Sequence, residues 1–166
     1  MKKIVFVLGL SGVGKSHYID NVFPATVGTI DFENLRVAAQ EAHPEMDQYE
    51  LPTYVKVIAL DALSELIDIR EHRAVVVEAT GLSKVNQAAI RAMMDVAGSR
   101  GYAYEVVYLK PANWYEYVES IENDEQAMGM YRDYTRGGAR WREPDQCPYF
   151  EGVTVVEIDQ KSIVAL

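Results

Sequence analysis

An apolar run, Ile4-Val5-Phe6-Val7-Leu8, delivers the chain directly into Gly9-Leu10-Ser11-Gly12-Val13-Gly14-Lys15-Ser16. These eight residues satisfy G-x-x-x-x-G-K-[ST], and the strand before them supplies the context that the pattern requires. A strand must bring the chain in and a helix must carry it away, so that successive backbone N–H groups converge on one anion. The glycines permit the tight turn, Lys15 reaches the β- and γ-phosphates, and the Ser16 hydroxyl is placed to ligate Mg²⁺. The nucleotide-binding set read from this segment is Gly9, Ser11, Gly12, Val13, Gly14, Lys15, Ser16 and His17, with ATP and Mg²⁺ as the expected ligands.

The remaining sequence limits the protein around that loop. Its 166 residues suit one domain, and 49% apolar content supports a single packed core rather than disorder. No apolar run approaches the roughly 20 residues that a membrane-spanning helix needs, so no membrane partner is expected. Met1-Lys2-Lys3 and the following apolar residues resemble a secretion signal only superficially, because the phosphate loop stands where a cleavage site would fall. Cys147 is the only cysteine, which excludes an intramolecular disulfide and makes a cytoplasmic location the default, the host cytoplasm if the chain is phage-encoded. A net charge of −9 provides no global attraction for a polyanion, so a phosphate-bearing partner needs a local basic cluster.

Short β-rich runs alternate with longer helical segments, which predicts a doubly wound α/β domain with a parallel sheet and helices on both faces. The predicted strands are Lys3–Leu8, Thr26–Ile30, Ala74–Glu78, Ala103–Leu109 and Val153–Ile158. A helix over Leu51–Arg70 would carry Val55, Ala59, Ala62, Leu66 and Ile69 on one face. A second, over Ser83–Ala97, would align Val85, Ala89, Ala92, Met93 and Val96, with Ser83 as N-cap. One domain is expected over residues 1–166, with a lid segment around 123–145.

Three segments carry further chemistry. Ala74-Val75-Val76-Val77-Glu78 is an apolar run ending in an acid, the pattern of a buried strand presenting a carboxylate at its edge. Glu78 is therefore a candidate Mg²⁺ ligand beside Ser16, or else a helix cap or ion-pair partner. Thr80 could bind a phosphate or water, or serve as a turn residue. Asp31 and Glu33 follow the second strand, where a carboxylate could orient an acceptor hydroxyl and take its proton. Either could instead cap the helix that begins near Asn34. Arg36 is a candidate clamp for an acceptor phosphate, or an ordinary surface arginine. Finally, Arg132, Arg136, Arg140 and Arg142 crowd one stretch of an acidic chain, interleaved with Tyr131, Tyr134 and Trp141. Arg132 and Arg136 share a helix face and suit the spreading charge of phosphoryl transfer, and the aromatic rings could stack on bases. The same arginines could simply compensate Glu116, Glu119, Glu122, Asp124 and Glu125. The three histidines have no metal-ligand spacing, and Cys147 has no basic neighbour in sequence to activate it.

Three segments, Met1–Ser16, Asp31–Arg36 and Val75-Val76-Val77-Glu78-Ala79-Thr80, resemble the P-loop kinases of the phage polynucleotide 5′-hydroxyl kinase type. The resemblance implies a three-layer P-loop NTPase fold with five parallel strands in the order 2-3-1-4-5. It also implies a general-base acid after the second strand, an acceptor-binding arginine, and lid arginines. Here Glu78 stands where the family usually has Asp, and Gly81 where it has Asn. The family's acid lies three residues before its arginine, which points to Glu33, while proximity to the strand end points to Asp31.

The expected activity is ATP-dependent phosphorylation of a hydroxyl on nucleic acid, either a 5′-OH end or a hydroxymethyl pyrimidine base. The catalytic set is Lys15, Asp31, Glu33, Arg36, Arg132 and Arg136. The alternatives are a kinase of a free nucleoside, nucleotide or small metabolite, and a nucleotide-binding regulatory ATPase. The sequence leaves open whether the chain is a monomer or a homodimer.

Overall fold

The computed structural model describes residues 2–23, 28–68 and 74–161. Five parallel strands form one sheet: β1 (Lys3–Leu8), β2 (Gly28–Asp31), β3 (Ala74–Ala79), β4 (Ala103–Pro111) and β5 (Thr154–Ile158). Their spatial order is β2-β3-β1-β4-β5, the order that the resemblance implies. The chain thus winds outward from β1 in both directions, and the ends of β1 and β3 open a crevice beside the phosphate loop.

Helices cover both faces. Alternation along β1 sends Ile4, Phe6 and Leu8 into one core, where α2 (Phe32–Ala42), α3 (Glu50–Asp68) and α4 (Lys84–Ser99) pack. Val5 and Val7 point the other way, toward α1 (Lys15–Val22), α5 (Trp114–Ile121) and α6 (Glu125–Arg136). The continuous apolar runs of β1 and β3 reflect this burial on both sides. Each fully buried Val or Leu contributes roughly 1.5–3 kcal/mol, so the central strands anchor the site from below.

The predicted helices form with their faces turned. In α3 the buried stripe is Leu51, Val55, Ala59, Leu63 and Ile67, while Ala62 and Leu66 pack only partly against the core. In α4 the buried set is Gln87, Ala89, Ile90, Met93, Met94 and Ala97, and Val85 is exposed. The wider contact with a sheet, rather than a narrow seam, recruits neighbours of the expected positions. Ser83 does cap α4, its hydroxyl accepting from the Asn86 N–H at 3.1 Å. Thr26, Ile69, Arg70 and His72 lie outside the described residues.

Candidate active site

The phosphate loop is braced from three sides. The Gly9 N–H donates to the Thr80 carbonyl at 3.1 Å, joining the loop to the end of β3. The Tyr117 hydroxyl donates to the Ser11 carbonyl at 2.7 Å, and the Gln160 amide donates to the Val13 carbonyl at 3.3 Å. Both braces come from far along the chain and carry no motif, so no sequence pattern reveals them. Gly12 adopts φ +82°, and a Cβ there would lie 2.7 Å from Ile121 Cγ2, so α5 seats directly on the loop. No other residue type combines that backbone with that approach.

Lys15 folds into the loop, its Nζ donating to the Gly9 carbonyl at 2.6 Å and the Leu10 carbonyl at 3.4 Å. Loss of hydration lowers its pKa to about 8, against the opposing pull of Glu78, Asp31 and Glu33. Ser16 comes next, at the start of α1. The His17 ring lies against the Asn21 amide, 3.3 Å from Nε2, within α1.

Beside the loop, the Ser16 hydroxyl donates to Glu78 at 3.0 Å (Oε1) and 3.3 Å (Oε2). Parallel pairing sets Asp31 opposite Glu78, so two carboxylates share one end of the sheet. Partial burial and the Asp31 charge raise the Glu78 pKa, while Ser16 and Lys15 oppose the rise. A cavity of about 190 Å³ opens here, bordered by Ser16, Asp20, Thr29, Asp31, Asn34 and Glu78. Such hard oxygen donors fit Mg²⁺, which typically takes one or two carboxylates and keeps several waters. Ser16 and Glu78 would hold the ion, with Asp31 alongside.

Asp31 and Glu33 have different surroundings. Asp31 is the N-cap of α2, its Oδ1 accepting from the Glu33 N–H at 2.9 Å and the Asn34 N–H at 3.2 Å. Both of these bonds fall on Oδ1. Glu33 instead receives the Arg36 fork, Nη2 to Oε1 at 2.6 Å and Nε to Oε2 at 3.2 Å, and its Oε1 also accepts from Gln126. The Arg36 hydrogen bonds lower the Glu33 pKa, with the Arg36 charge, Gln126 and Lys15 adding to the effect against partial burial. A carboxylate so engaged is a weak proton acceptor.

The four arginines of the expected lid segment separate into two pairs. Arg132 and Arg136 lie exposed on α6 and form no ion pair among the described residues. Arg140 pairs with Asp133, with its guanidinium 4.5 Å from the Trp141 ring centroid. Arg142 is structural: its Nε donates to Gln87 Oε1 at 2.7 Å, and its carbonyl accepts from Gln87 Nε2 at 2.7 Å. Fully buried Gln87 also donates to the Gly81 carbonyl at 2.9 Å, fastening the segment that follows α6 to the loop after β3. An antiparallel bridge between Ser83 and Trp141 completes that join. Gly81 adopts φ +67°, and a Cβ there would meet Leu8 Cδ1 at 2.5 Å, a backbone and a close approach that together favour glycine.

The expectation of base-stacking rings is corrected by the same geometry. Tyr131 and Tyr134 each stack on Trp114 at 6.2 Å, and Trp141 meets Tyr134 edge-on at 5.9 Å. Tyr131 and Tyr134 form the aromatic part of the contact of α6 with α5, beside buried Ala127 and partly buried Met128 and Met130. Glu143 then ties Tyr134 to Tyr108, accepting from both hydroxyls. Cys147 is buried, with the Arg142 guanidinium 3.5 Å from its sulfur, a neighbour that sequence spacing does not reveal.

No protein-family model matches the chain, and no curated protein matches it by sequence. Solved structures do share its fold. A gluconokinase from Sinorhizobium meliloti 1021 superposes with a TM-score of 0.56 at 16% identity, covering 99% of this chain and 87% of the other. The tunicamycin resistance protein of Deinococcus radiodurans gives 0.58 at 16% identity, covering 99% and 92%. The architecture is that of the P-loop kinase fold: a five-stranded parallel sheet in the order 2-3-1-4-5, with helices on both faces.

Proposed function

We propose that this protein is a P-loop phosphotransferase that moves the γ-phosphoryl group of ATP to a hydroxyl of a small anionic metabolite. The observation that carries the reading is the convergence of Lys15, Ser16, Glu78 and Asp31 at one end of the sheet, next to the Glu33–Arg36 pair. The loop N–H groups and Lys15 hold the nucleotide phosphates, and Ser16 and Glu78 hold Mg²⁺. Held by Ser16 and Glu78, the ion would supply charge neutralisation to the transferring phosphates. Asp31 orients the acceptor hydroxyl and takes its proton as the oxygen–phosphorus bond forms. The bond from the γ-phosphorus to the bridging oxygen breaks, and ADP leaves. Glu33 positions Arg36, whose planar guanidinium suits a carboxylate or phosphate on the acceptor.

A small acceptor is favoured over a polynucleotide by charge and by the aromatic residues. The net charge is −9, the rings of Tyr131, Tyr134 and Trp141 are occupied within the protein, and Arg140 and Arg142 are committed to Asp133 and Gln87. The gluconokinase among the similar structures is consistent with such an acceptor. A nucleic acid hydroxyl, at a 5′ end or on a hydroxymethyl pyrimidine, is the second reading. Exposed Arg132 and Arg136 support it, since they could meet a phosphate of the acceptor strand as readily as ATP. The test is ADP release with sugar acids, polyols, nucleosides, 5′-OH oligonucleotides and hydroxymethylated duplex as acceptors. Stimulation by an anionic small alcohol is expected. Stimulation by oligonucleotides alone selects the second reading, and hydrolysis that no acceptor stimulates indicates a regulatory ATPase.

A further inference from the structure

Gln126 occupies the first turn of α6, two residues after the Asp124 N-cap, and its side chain reaches α2, 93 residues away in sequence, to donate to Glu33 Oε1. The same oxygen accepts from Arg36 Nη2 at 2.6 Å, and the other carboxylate oxygen accepts from Arg36 Nε at 3.2 Å. Both Glu33 oxygens are therefore committed to holding one guanidinium, and a lid residue shares one of them. Among the described residues Arg36 Nη1 meets Gln40 Oε1 at 3.4 Å and no carboxylate, which leaves that edge of the fork for an anion. Away from this contact, α6 is anchored by buried Ala127 and by the stacking of Tyr131 and Tyr134 on Trp114.

We infer that Gln126 is a positioning residue that couples the lid helix to acceptor binding, by fixing the Glu33 carboxylate and, through it, the direction of the Arg36 guanidinium. The inference rests on the proposed phosphotransfer to an anionic acceptor. An amide suits the role because it donates to the carboxylate without neutralising it, so Glu33 keeps its full hold on Arg36. A lysine would compete with Arg36 for the same oxygen, and a carboxylate would repel it. Since Gln126 is exposed, substitution there removes the coupling without opening a cavity in the core.

The chain offers a built-in reporter. Both of its tryptophans, Trp114 and Trp141, touch Tyr134 of α6, so tryptophan quenching reads the seating of the lid without any turnover. The experiment compares wild type, Gln126→Ala, Gln126→Glu and the reciprocal pair Glu33→Gln/Gln126→Glu. It uses acrylamide quenching and steady-state kinetics with the best acceptor from the panel, with circular dichroism confirming the fold. In Gln126→Ala the acceptor KM should rise about 5- to 10-fold, with the ATP KM within twofold, as expected for loss of one solvent-exposed hydrogen bond. Gln126→Glu should be worse, and the reciprocal pair should restore the contact between α6 and α2, because donor and acceptor have exchanged sides, while its acceptor KM stays raised because the substitution at 33 itself loosens the two-oxygen hold on Arg36. Quenching should increase in both single variants and return toward wild type in the pair. Unchanged quenching in Gln126→Ala overturns the coupling. Altered quenching with an unmoved acceptor KM, or with both KM values raised alike, also overturns it, since the contact is then only structural. Wild type that transfers to no acceptor refutes the phosphotransfer reading instead, and quenching alone then decides whether Gln126 seats the lid.

Discussion

Asp31 and Glu78 stand opposite each other at the ends of two neighbouring parallel strands, the last paired position of β2 against β3. The pairing places two acids side by side, one capping a helix and the other bonded to the phosphate-loop serine. Like charges side by side are unfavourable without a cation, and the Asp31 charge adds to partial burial in raising the Glu78 pKa.

The first prediction comes from that conflict. Glu78 has a folded-state pKa above its unfolded value, so its contribution to stability is present at low pH and lost as pH rises through the folded pKa. Without metal, Glu78→Gln should flatten that decline in thermal unfolding. Mg²⁺ affinity should change in the opposite sense, rising as Glu78 deprotonates, and both Ser16→Ala and Glu78→Gln should weaken it. Magnesium titrations of nucleotide binding at several pH values check both signs.

Lys15 gives a second pH signature. It must be protonated to attract phosphate, and burial has lowered its pKa to about 8. Nucleotide affinity should therefore be flat below that value and fall above it, by up to about tenfold per pH unit. Lys15→Arg, charged throughout, should remove the decline even if it binds more weakly, and Lys15→Ala should abolish transfer. Calorimetric titration with a non-hydrolysable ATP analogue across the mildly acidic to alkaline range measures this directly.

The arginines should separate into functional and structural. Arg132→Ala and Arg136→Ala should lower kcat with little change in unfolding temperature. Arg142→Ala leaves the buried Gln87 carbonyl oxygen without its donor and should cost roughly 1–3 kcal/mol of stability. Lysine at 142 keeps the charge but loses the fork, and should rescue only part of that loss. Thermal melts beside kcat measurements distinguish the two classes.

Tyr117→Phe removes the hydroxyl that holds the Ser11 carbonyl while keeping the ring on Trp114. The loop should loosen without the core collapsing. A rise of a few-fold in the ATP KM is expected, in line with roughly 0.5–1.5 kcal/mol for one such bond.

The sheet and phosphate loop were legible because β1 and β3 are apolar on both faces and the loop motif requires a helix to leave the end of β1. Glu78 was legible for the same reason, as an acid closing an apolar run. The roles of Asp31 and Glu33 could not be separated in sequence. What distinguishes them is the Arg36 fork that occupies Glu33, reinforced by Gln126, a polar residue from far along the chain that no local pattern connects to α2. Tyr131, Tyr134 and Trp141 misled because aromatic residues interleaved with arginines look alike whether they await a base or pack against Trp114. Gln87 sat in plain view on an apolar helix face, but its partner Arg142 lies 55 positions away.

The most direct test of the account is acceptor-dependent transfer of labelled γ-phosphate by wild type, Asp31→Asn and Glu33→Gln. Asparagine caps a helix as well as aspartate does, so Asp31→Asn preserves the start of α2 while removing the proton acceptor. Asp31→Asn should lose roughly 10²–10⁴-fold in kcat with ATP affinity nearly intact. Glu33→Gln should chiefly raise the acceptor KM, through a misdirected Arg36. Full acceptor-dependent turnover in Asp31→Asn, with the larger kcat loss in Glu33→Gln, would contradict it.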